Sequence, residues 1–168
     1  NSIKPVSYVN SSAAIKAFCG RNGGIICTSG NAKSVLEWAF SRSDKVFFLP
    51  DMNLGRNTAA QIGIPDDEVV LWDRDKTEGG ITSEDLRRAK MVLWKGWCPV
   101  HWPGFTAEDV KTAREKYPGI RVMVHPESDP ATVLASDAAG STASILKCVR
   151  EMNPGESLAI GTETNMVR

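Results

Sequence analysis

The chain has 168 residues, a length typical of one ordinary domain or of two small ones. Hydrophobic residues make up 42% and charged residues 24%, a composition that excludes an intrinsically disordered chain. The 20 basic and 20 acidic side chains cancel, and without a basic excess the sequence argues against a nucleic-acid-binding protein. No apolar run approaches the roughly 18 residues that span a bilayer.

The four cysteines are not arranged in CxxC pairs or at zinc-finger spacing from a histidine. We therefore predict reduced thiols and a cytoplasmic protein, with a small buried hydrophobic residue as the first interpretation of each cysteine. The sequence starts directly in a strand-like segment and stops where a helix is expected to begin. This pattern predicts a piece of a longer chain.

Short apolar runs alternate with helical stretches along the whole sequence. Strands separated by helices indicate βαβ units and parallel sheets, so we predict an α/β fold. Residues 73–80 are charged and contain glycine, which predicts a loop. The predicted strands are Val6–Val9, Gly24–Cys27, Lys45–Leu49, Val69–Trp72, Met91–Trp94, Arg121–Val124 and Ser157–Ile160, with a short extended piece over Asp137–Gly140. The predicted helices that alternate with them are Ser12–Phe18, Ala32–Phe40, Leu54–Ile62, Ser83–Lys90, a helix capped by Thr106 and ending at Tyr117, Pro130–Ala135 and Ser141–Met152.

The strand–helix pattern recurs on either side of Gly96. We predict two small α/β domains, residues 1–95 and 96–168, with one continuous domain as the alternative.

Polar clusters follow the predicted strands. Because ligands of parallel α/β sheets bind beyond the carboxyl ends of the strands, these clusters are expected to converge on one edge. They are Tyr8–Asn10, Thr28–Asn31, Pro50–Asp51, Gly96–His101, His125–Glu127, Gly140–Thr142 and Gly161–Glu163.

Two clusters suit anion binding. Gly140-Ser141-Thr142 opens a helix, where free N–H groups and two hydroxyls favour a phosphate; the alternative is an ordinary serine N-cap. Thr28–Asn31 either holds a carboxylate or phosphate or simply turns the chain.

Other clusters suit proton transfer and metal ligation. His125 and Glu127 form a candidate acid–base pair, with a turn carrying a surface glutamate as the alternative. Tyr8 and Asn10 alternate about Val9 and so share one face of a strand, either for ligand binding or for packing. Cys98 lies in an aromatic-rich loop near His101, a setting that suits a thiolate ligand or nucleophile.

Seven motifs in register resemble the quinolinate synthase family, the iron–sulfur enzymes of NAD biosynthesis. Each motif alone is weak, and the set is specific. They are Tyr8–Ala14, Cys27–Ala32, Leu49–Asp51 with Asn53–Gly55, Trp94–His101, His125–Glu127, Asp137–Thr142 and Ile160–Glu163.

The resemblance implies a transferase that condenses iminoaspartate with dihydroxyacetone phosphate to give quinolinate, releasing phosphate and water. It implies three α/β/α sandwich domains about a pseudo-threefold axis, of which this chain covers the second and third. A [4Fe–4S] cluster, held by one cysteine from each domain, acts as a Lewis acid in such enzymes. L-aspartate oxidase is implied as the supplier of iminoaspartate.

The resemblance also implies roles for residues. Cys98 matches the middle cluster ligand. Tyr8, Asn10 and Ser29 match substrate-binding residues, and Tyr8 is also implied in proton transfer.

In the second half of the chain, His125 and Glu127 match a central catalytic and substrate-binding pair, with Glu127 as acid or base. Ser141 and Thr142 match donors to a substrate phosphate or carboxylate.

The sequence departs from the family because two cluster cysteines have no counterpart in it. We therefore expect an upstream domain and a downstream segment, and we expect this chain alone to be inactive. The alternatives are a cluster-free α/β module that binds a phosphorylated or dicarboxylate ligand, and a structural interaction domain.

Overall fold

The computed structural model describes residues 2–166 and divides the chain into two compact units, Asn1–Trp97 and Cys98–Arg168. Parallel sheets and helices in both units confirm the predicted α/β class and are consistent with α/β/α sandwiches. No helix within residues 2–166 has the length and apolar character needed to cross a bilayer.

Unit 1, Asn1–Trp97, is built on a five-stranded parallel sheet with strand order β2-β1-β3-β5-β4. Its elements are β1 (Ile3–Tyr8), α1 (Ala13–Arg21), β2 (Ile25–Cys27), α2 (Ala32–Phe40), β3 (Lys45–Leu49), α3 (Met52–Gln61), β4 (Val69–Trp72), α4 (Ser83–Arg88) and β5 (Met91–Trp94), with 3-10 turns at Asp66–Glu68 and Thr77–Gly80.

Successive residues of β3 serve two different cores, as the period-two alternation of a strand requires. Val46 and Phe48 are fully buried in the main core with residues of α2 and α3, whereas Phe47 packs with Val92 and Trp72 in a second, smaller core. The sheet of unit 1 is therefore covered by apolar packing on both faces.

The segment between β4 and β5 was predicted to begin as a loop over residues 73–80, and part of that prediction is wrong. Thr77–Gly80 forms a 3-10 turn in which Gly79 has a φ of 72°. A Cβ at Gly79 would lie 1.6 Å from Cδ1 of Trp72, so only glycine allows the turn to pack against that ring. The segment then contributes Ile81 and Ala89 to the second core.

Helix α3 begins two residues earlier than the predicted Leu54, because Asp51 caps it. The Asp51 carboxylate accepts the Leu54 N–H at 2.7 Å. The Asp51 side chain is buried beneath the end of β3, where the sequence indicated only a strand terminus.

Unit 2, Cys98–Arg168, contains a three-stranded parallel sheet with strand order β7-β6-β8. Val110 of the first helix packs on Val122 and Val124 of the central strand. Its elements are α5 (Ala107–Lys116), β6 (Arg121–Val124), α6 (Pro130–Ala135), β7 (Ala138–Ala139), α7 (Thr142–Arg150) and β8 (Leu158–Gly161), with a 3-10 turn at Thr164–Met166.

Capping groups explain the helix starts of unit 2. The predicted capping box of Thr106 and Asp109 is present, with the Asp109 carboxylate accepting the Thr106 N–H at 2.7 Å. Ser141 is the N-cap of α7 rather than its first helical residue, and α7 ends at Arg150 instead of the predicted Met152. The predicted extended piece over Asp137–Gly140 contains a strand of two residues.

Candidate functional site

Tyr8 and Asn10 lie together at the carboxyl edge of the sheet of unit 1, as their alternation predicted. Tyr8 ends β1 and is 5% exposed, while Asn10 is exposed and its Nδ2 donates to the Tyr8 Oη at 3.3 Å. The amide of an exposed residue thus contacts the phenol oxygen of a buried side chain.

Ser29 lies at the same edge, beyond β2. Tyr8 is in register with Cys27, and Ser29 follows two residues later in a turn. The side chain of Asn31 closes this turn, because its Oδ1 accepts the Thr28 N–H at 2.6 Å. Unit 1 therefore gathers three hydroxyl or amide groups, Tyr8, Asn10 and Ser29, at one sheet edge.

The register of unit 2 places three chain segments at the carboxyl end of its sheet. Val124, the last residue of β6, pairs with Ala139 of β7 and with Gly161 of β8. His125 and Thr162 therefore each follow directly after a strand at the same edge.

A buried glutamate there is shared by two histidines. Oε2 of Glu127 lies 3.1 Å from Nδ1 of His101 and 3.2 Å from Nδ1 of His125. The two imidazole rings are stacked, with 4.2 Å between their centroids. All three side chains are at most one-tenth exposed, so the charges of this group are shielded from water.

The environment of Glu127 favours its ionised form. Burial by itself raises the pKa of this carboxyl, but the side chains of His101 and His125 outweigh it and lower the pKa to about 2. Glu127 is therefore a carboxylate at neutral pH, held in its ionised form by the two histidines.

The remaining contacts of His101 fix its ring. Its Nε2 lies 3.3 Å from the hydroxyl oxygen of Thr162, and Phe105 meets the ring edge-on at 6.4 Å. A Cβ at Gly161 would lie 2.6 Å from Phe105, so glycine before Thr162 leaves the space for that aromatic ring.

Cys98 belongs to the same group. The backbone N–H groups of His101 and Trp102 donate to the Cys98 carbonyl, at 3.1 and 3.0 Å, and this turn brings Cys98 close to the imidazole of His101. Donor atoms of Cys98, His101 and Glu127 all lie within 4.8 Å of one another. Cys98 itself is half-buried.

Ser141 and Thr142 lie beyond β7, at the same edge of unit 2. Ser141 Oγ accepts the Ser144 N–H at 3.3 Å, which is the ordinary N-cap interaction. A Cβ at Gly140 would lie 2.6 Å from the Ser144 side chain, so glycine permits this close turn. The helix start is present as predicted, while its role in anion binding stays a prediction.

A family profile described as "Quinolinate synthetase A protein" matches residues 1–168. The chain belongs to the quinolinate synthetase A family. The quinolinate synthase of Corynebacterium glutamicum is 51% identical over 98% of this chain, and that of Acidobacterium capsulatum is 51% identical over 98%. The quinolinate synthase of Geobacillus kaustophilus is 50% identical over 98% of the chain.

The chain spans less than half of the length of these relatives in the quinolinate synthetase A family. Its coverage is 41% of the C. glutamicum protein and 44% of each of the other two. The activity of a whole quinolinate synthase is therefore a proposal for this chain.

The four cysteines of this chain are not equally suited to bind an iron–sulfur cluster. Burial raises the pKa of the Cys27 thiol to about 12 and also raises that of Cys19, which disfavours the thiolate. In unit 2, Cys148 Sγ lies 3.8 Å from the guanidinium of Arg121, at the start of β6 and thus away from the edge that carries His125. Cys98 fits one ligand position, and a cluster needs further thiolates.

His101 and Thr162 are the residues of this site to which the sequence assigned no role. The sequence offered one signal that His101 lies close to Cys98: the two residues are three positions apart within Gly96–His101, which is the length of one tight turn. The contact of His101 with Glu127 joins positions far apart in the sequence, and no local pattern indicates it.

Proposed function

We propose that this chain forms part of a quinolinate synthase, which condenses iminoaspartate with dihydroxyacetone phosphate to quinolinate and releases phosphate and water. The observation that carries the proposal is the buried carboxylate of Glu127 between two histidines and beside Cys98, in a member of this family. Such a reaction needs proton removal and proton return at carbon and oxygen atoms, which this group can perform.

Glu127 is the proposed acid–base group. As a carboxylate it accepts a proton from substrate, and His125 lies close enough to share that proton. Tyr8 is the proposed second proton donor, since Asn10 holds its hydroxyl at the sheet edge of unit 1.

The proposed substrate-binding residues are Tyr8, Asn10 and Ser29 in unit 1 and His125, Glu127, Ser141 and Thr142 in unit 2. The backbone N–H groups at the start of α7 suit a phosphate or carboxylate, and the Ser141 and Thr142 hydroxyls are the proposed additional donors.

Cys98 is the proposed ligand to one iron of a [4Fe–4S] cluster. When bound, the cluster supplies a Lewis-acidic iron for dehydration. The other thiolates are proposed to come from parts of the enzyme outside this sequence, as are the remaining walls of the site. We propose that residues 1–168 alone are inactive, because a single thiolate does not retain a cluster.

The same proposal places the two units as the second and third of three related domains in a cytoplasmic enzyme, with L-aspartate oxidase as a supplier of iminoaspartate. The reduced state of all four cysteines is compatible with that compartment.

The test is anaerobic iron–sulfur reconstitution of the full-length enzyme, read by cluster absorbance and by quinolinate formed. Cys98→Ala should abolish both signals, while the matched variant Cys148→Ala should retain both. Glu127→Gln should keep the cluster absorbance and lower turnover by about 10²- to 10⁴-fold.

Turnover that survives Cys98→Ala would favour a cluster-free binding module instead. Turnover that survives Glu127→Gln would favour a structural interaction domain and would remove the acid–base assignment.

A further inference from the structure

An apolar groove lies on the face of the unit 1 sheet that carries the second, smaller core. Its volume is about 220 Å³, and its walls present almost no polar surface. Ile3 and Leu86, which line it, are 49% and 41% exposed. Contiguous apolar surface of this kind is typical of a place that another segment covers. The residues that line the groove are Ile3, Phe47, Trp72, Ile81, Leu86 and Val92.

The two units share one arrangement of three parallel strands, which shows how such a face is covered elsewhere in the chain. In each unit the first strand lies between the second and the third, in the orders β2-β1-β3 and β7-β6-β8. Ser7 of β1 pairs with the last residue of β3, and Val124 of β6 pairs with the last residue of β8. Ser7 of unit 1 is therefore equivalent to Val124 of unit 2.

This equivalence identifies the face of unit 2 that corresponds to the groove. Counting back along the central strands makes Ile3 equivalent to Ile120, and counting back along the third strands makes Phe47 equivalent to Ala159. Alternate residues of a strand share one face, so the groove of unit 1 and the surface formed by Ile120 and Ala159 are the same face of the same arrangement.

In unit 2 a helix that precedes the central strand covers this face. Val110 of α5 is buried in a cluster against which Ile120 and Ala159 pack. Only residues 117–120 separate α5 from β6, so the helix returns onto the strand that follows it. In unit 1, within the residues that the structure describes, β1 is the first element, and the equivalent face carries the groove.

Helix α1 of unit 1 gives a second, independent sign of a missing neighbour. Its N-cap is Ser12, and the N-cap of the equivalent helix α6 is Asp129. Phe18 and Ala135 each lie six positions after these caps and are therefore equivalent. Ala135 packs in the cluster beneath α5, whereas Phe18 is 41% exposed. Phe18 thus lacks the cover that its counterpart has in unit 2.

We propose that the groove of unit 1 is the docking site of an amphipathic helix formed by the residues that directly precede residue 1 in the full-length protein. The relatives have room for such a segment, because this chain covers 41% to 44% of their length. A helix of the 10 residues of α5, followed by a connection as short as that in unit 2, leads into β1 at Ile3.

The chemistry of the groove defines the docked face of this helix. Apolar side chains that recur every three to four residues form the stripe that packs on Ile3, Phe47 and Leu86, and polar side chains face away. The inference rests on the proposed upstream part of the enzyme, and it does not depend on the proposed reaction.

The test is photo-crosslinking in the full-length protein, with p-benzoylphenylalanine in place of Leu86. Peptide mass spectrometry after irradiation identifies the segment that contacts this position, and we expect the peptide that directly precedes residue 1. The control carries the same group in place of Glu84, an exposed residue of α4 that does not share the face of Leu86 and should not give this crosslink.

Alkylation gives a second measurement that needs no bulky group in the groove. In the native full-length protein, Leu86→Cys should react with iodoacetamide at least about tenfold more slowly than Glu84→Cys, because a docked helix covers only the first position. Peptide mass spectrometry separates these two sites from the natural cysteines.

The proposal is overturned if the crosslink from position 86 maps to a second copy of the chain, maps to any other part of the same chain, or does not form. A crosslink to a second copy would instead make the groove an interface between copies. Equal alkylation rates at positions 84 and 86 would also overturn it. These outcomes leave the synthase proposal standing, since turnover of the full-length enzyme decides that proposal separately.

Discussion

The imidazole rings of His101 and His125 are stacked in unit 2, with their planes only 18° apart. Both rings present Nδ1 to the same oxygen atom of Glu127. One buried carboxylate therefore contacts two rings that come from different parts of the chain.

Replacing this carboxylate by an amide should destabilise the fold. Glu127→Gln keeps the shape of the side chain but removes the charge that both imidazoles contact. We expect the free energy of unfolding to fall by about 1–3 kcal/mol, the usual cost of an unsatisfied buried group. Urea unfolding at pH 7, followed by circular dichroism, measures the change.

The control is Glu115→Gln, at an exposed glutamate of α5, which should stay within about 0.5 kcal/mol of the unaltered chain. Equal effects of the two variants would contradict a structural role for the Glu127 charge.

Gly55 allows α3 to pack closely on the sheet of unit 1. A Cβ at this position would lie 2.6 Å from Cδ2 of Leu93 and 2.8 Å from Cδ1 of Phe48, both fully buried. Gly55→Ala should therefore overpack the main core and cost about 1–3 kcal/mol of unfolding free energy in thermal or urea denaturation.

Gly20 is the matched helical glycine, since a Cβ there meets nothing within 4 Å. Gly20→Ala should be neutral or stabilise α1 by up to about 1 kcal/mol. If Gly55→Ala were as neutral or stabilising as Gly20→Ala, helix propensity would outweigh packing and the close contact of Gly55 with the sheet would be contradicted.

The ion pair of Asp73 and Lys95 should make the stability of unit 1 depend on pH. Lys95 Nζ donates to Asp73 Oδ2 at 2.6 Å, and this hydrogen bond lowers the pKa of Asp73. A carboxyl whose pKa is lower in the folded state stabilises the fold above its unfolded pKa of about 4, and this stabilisation is lost as the pH falls through the folded value.

Asp73→Asn should consequently lower the midpoint of thermal unfolding at pH 7, with a difference that shrinks progressively below about pH 4. Asp75→Asn, at a side chain that is 79% exposed, is the control. A difference for Asp73→Asn that stayed constant down to pH 2 would show that lost packing, and not lost charge, is responsible.

The four thiols should react with iodoacetamide at two distinct rates. Cys27 has a pKa of about 12 because it is buried, so roughly one in ten thousand molecules carries its thiolate at pH 8. Burial also raises the pKa of Cys19. We expect Cys98 and Cys148 to be alkylated first, as judged by peptide mass spectrometry over time. Early labelling of Cys27 would mean that β2 opens readily.

Local patterns in the sequence predicted most elements of the fold. Thr106 and Asp109 are three residues apart and form the predicted capping box, because such a cap depends only on neighbours in the chain. The bounds of Ala32–Phe40 and Lys45–Leu49 were also predicted correctly, since each combines a clear apolar period with a turn on either side.

The features that the sequence did not predict depend on contacts between distant residues. Gly79 fits only because Trp72 occupies the space where a side chain would be. The sequence suggested His125 and Glu127 as a pair, but the participation of His101 follows from tertiary packing. The site is thus partly visible in motifs, while its geometry comes from the fold.

The strand order of unit 1 has a consequence for how the chain is made. β4 precedes β5 in the chain, yet β5 lies between β3 and β4 in the sheet. On a ribosome, Val69–Trp72 emerges before Met91–Trp94, the strand that joins it to the sheet. During that interval the nascent chain exposes an apolar strand with unpaired backbone groups, the kind of segment that chaperones bind and that aggregates in their absence. Nascent chains that end between these two strands are therefore expected to be the least soluble products of interrupted translation.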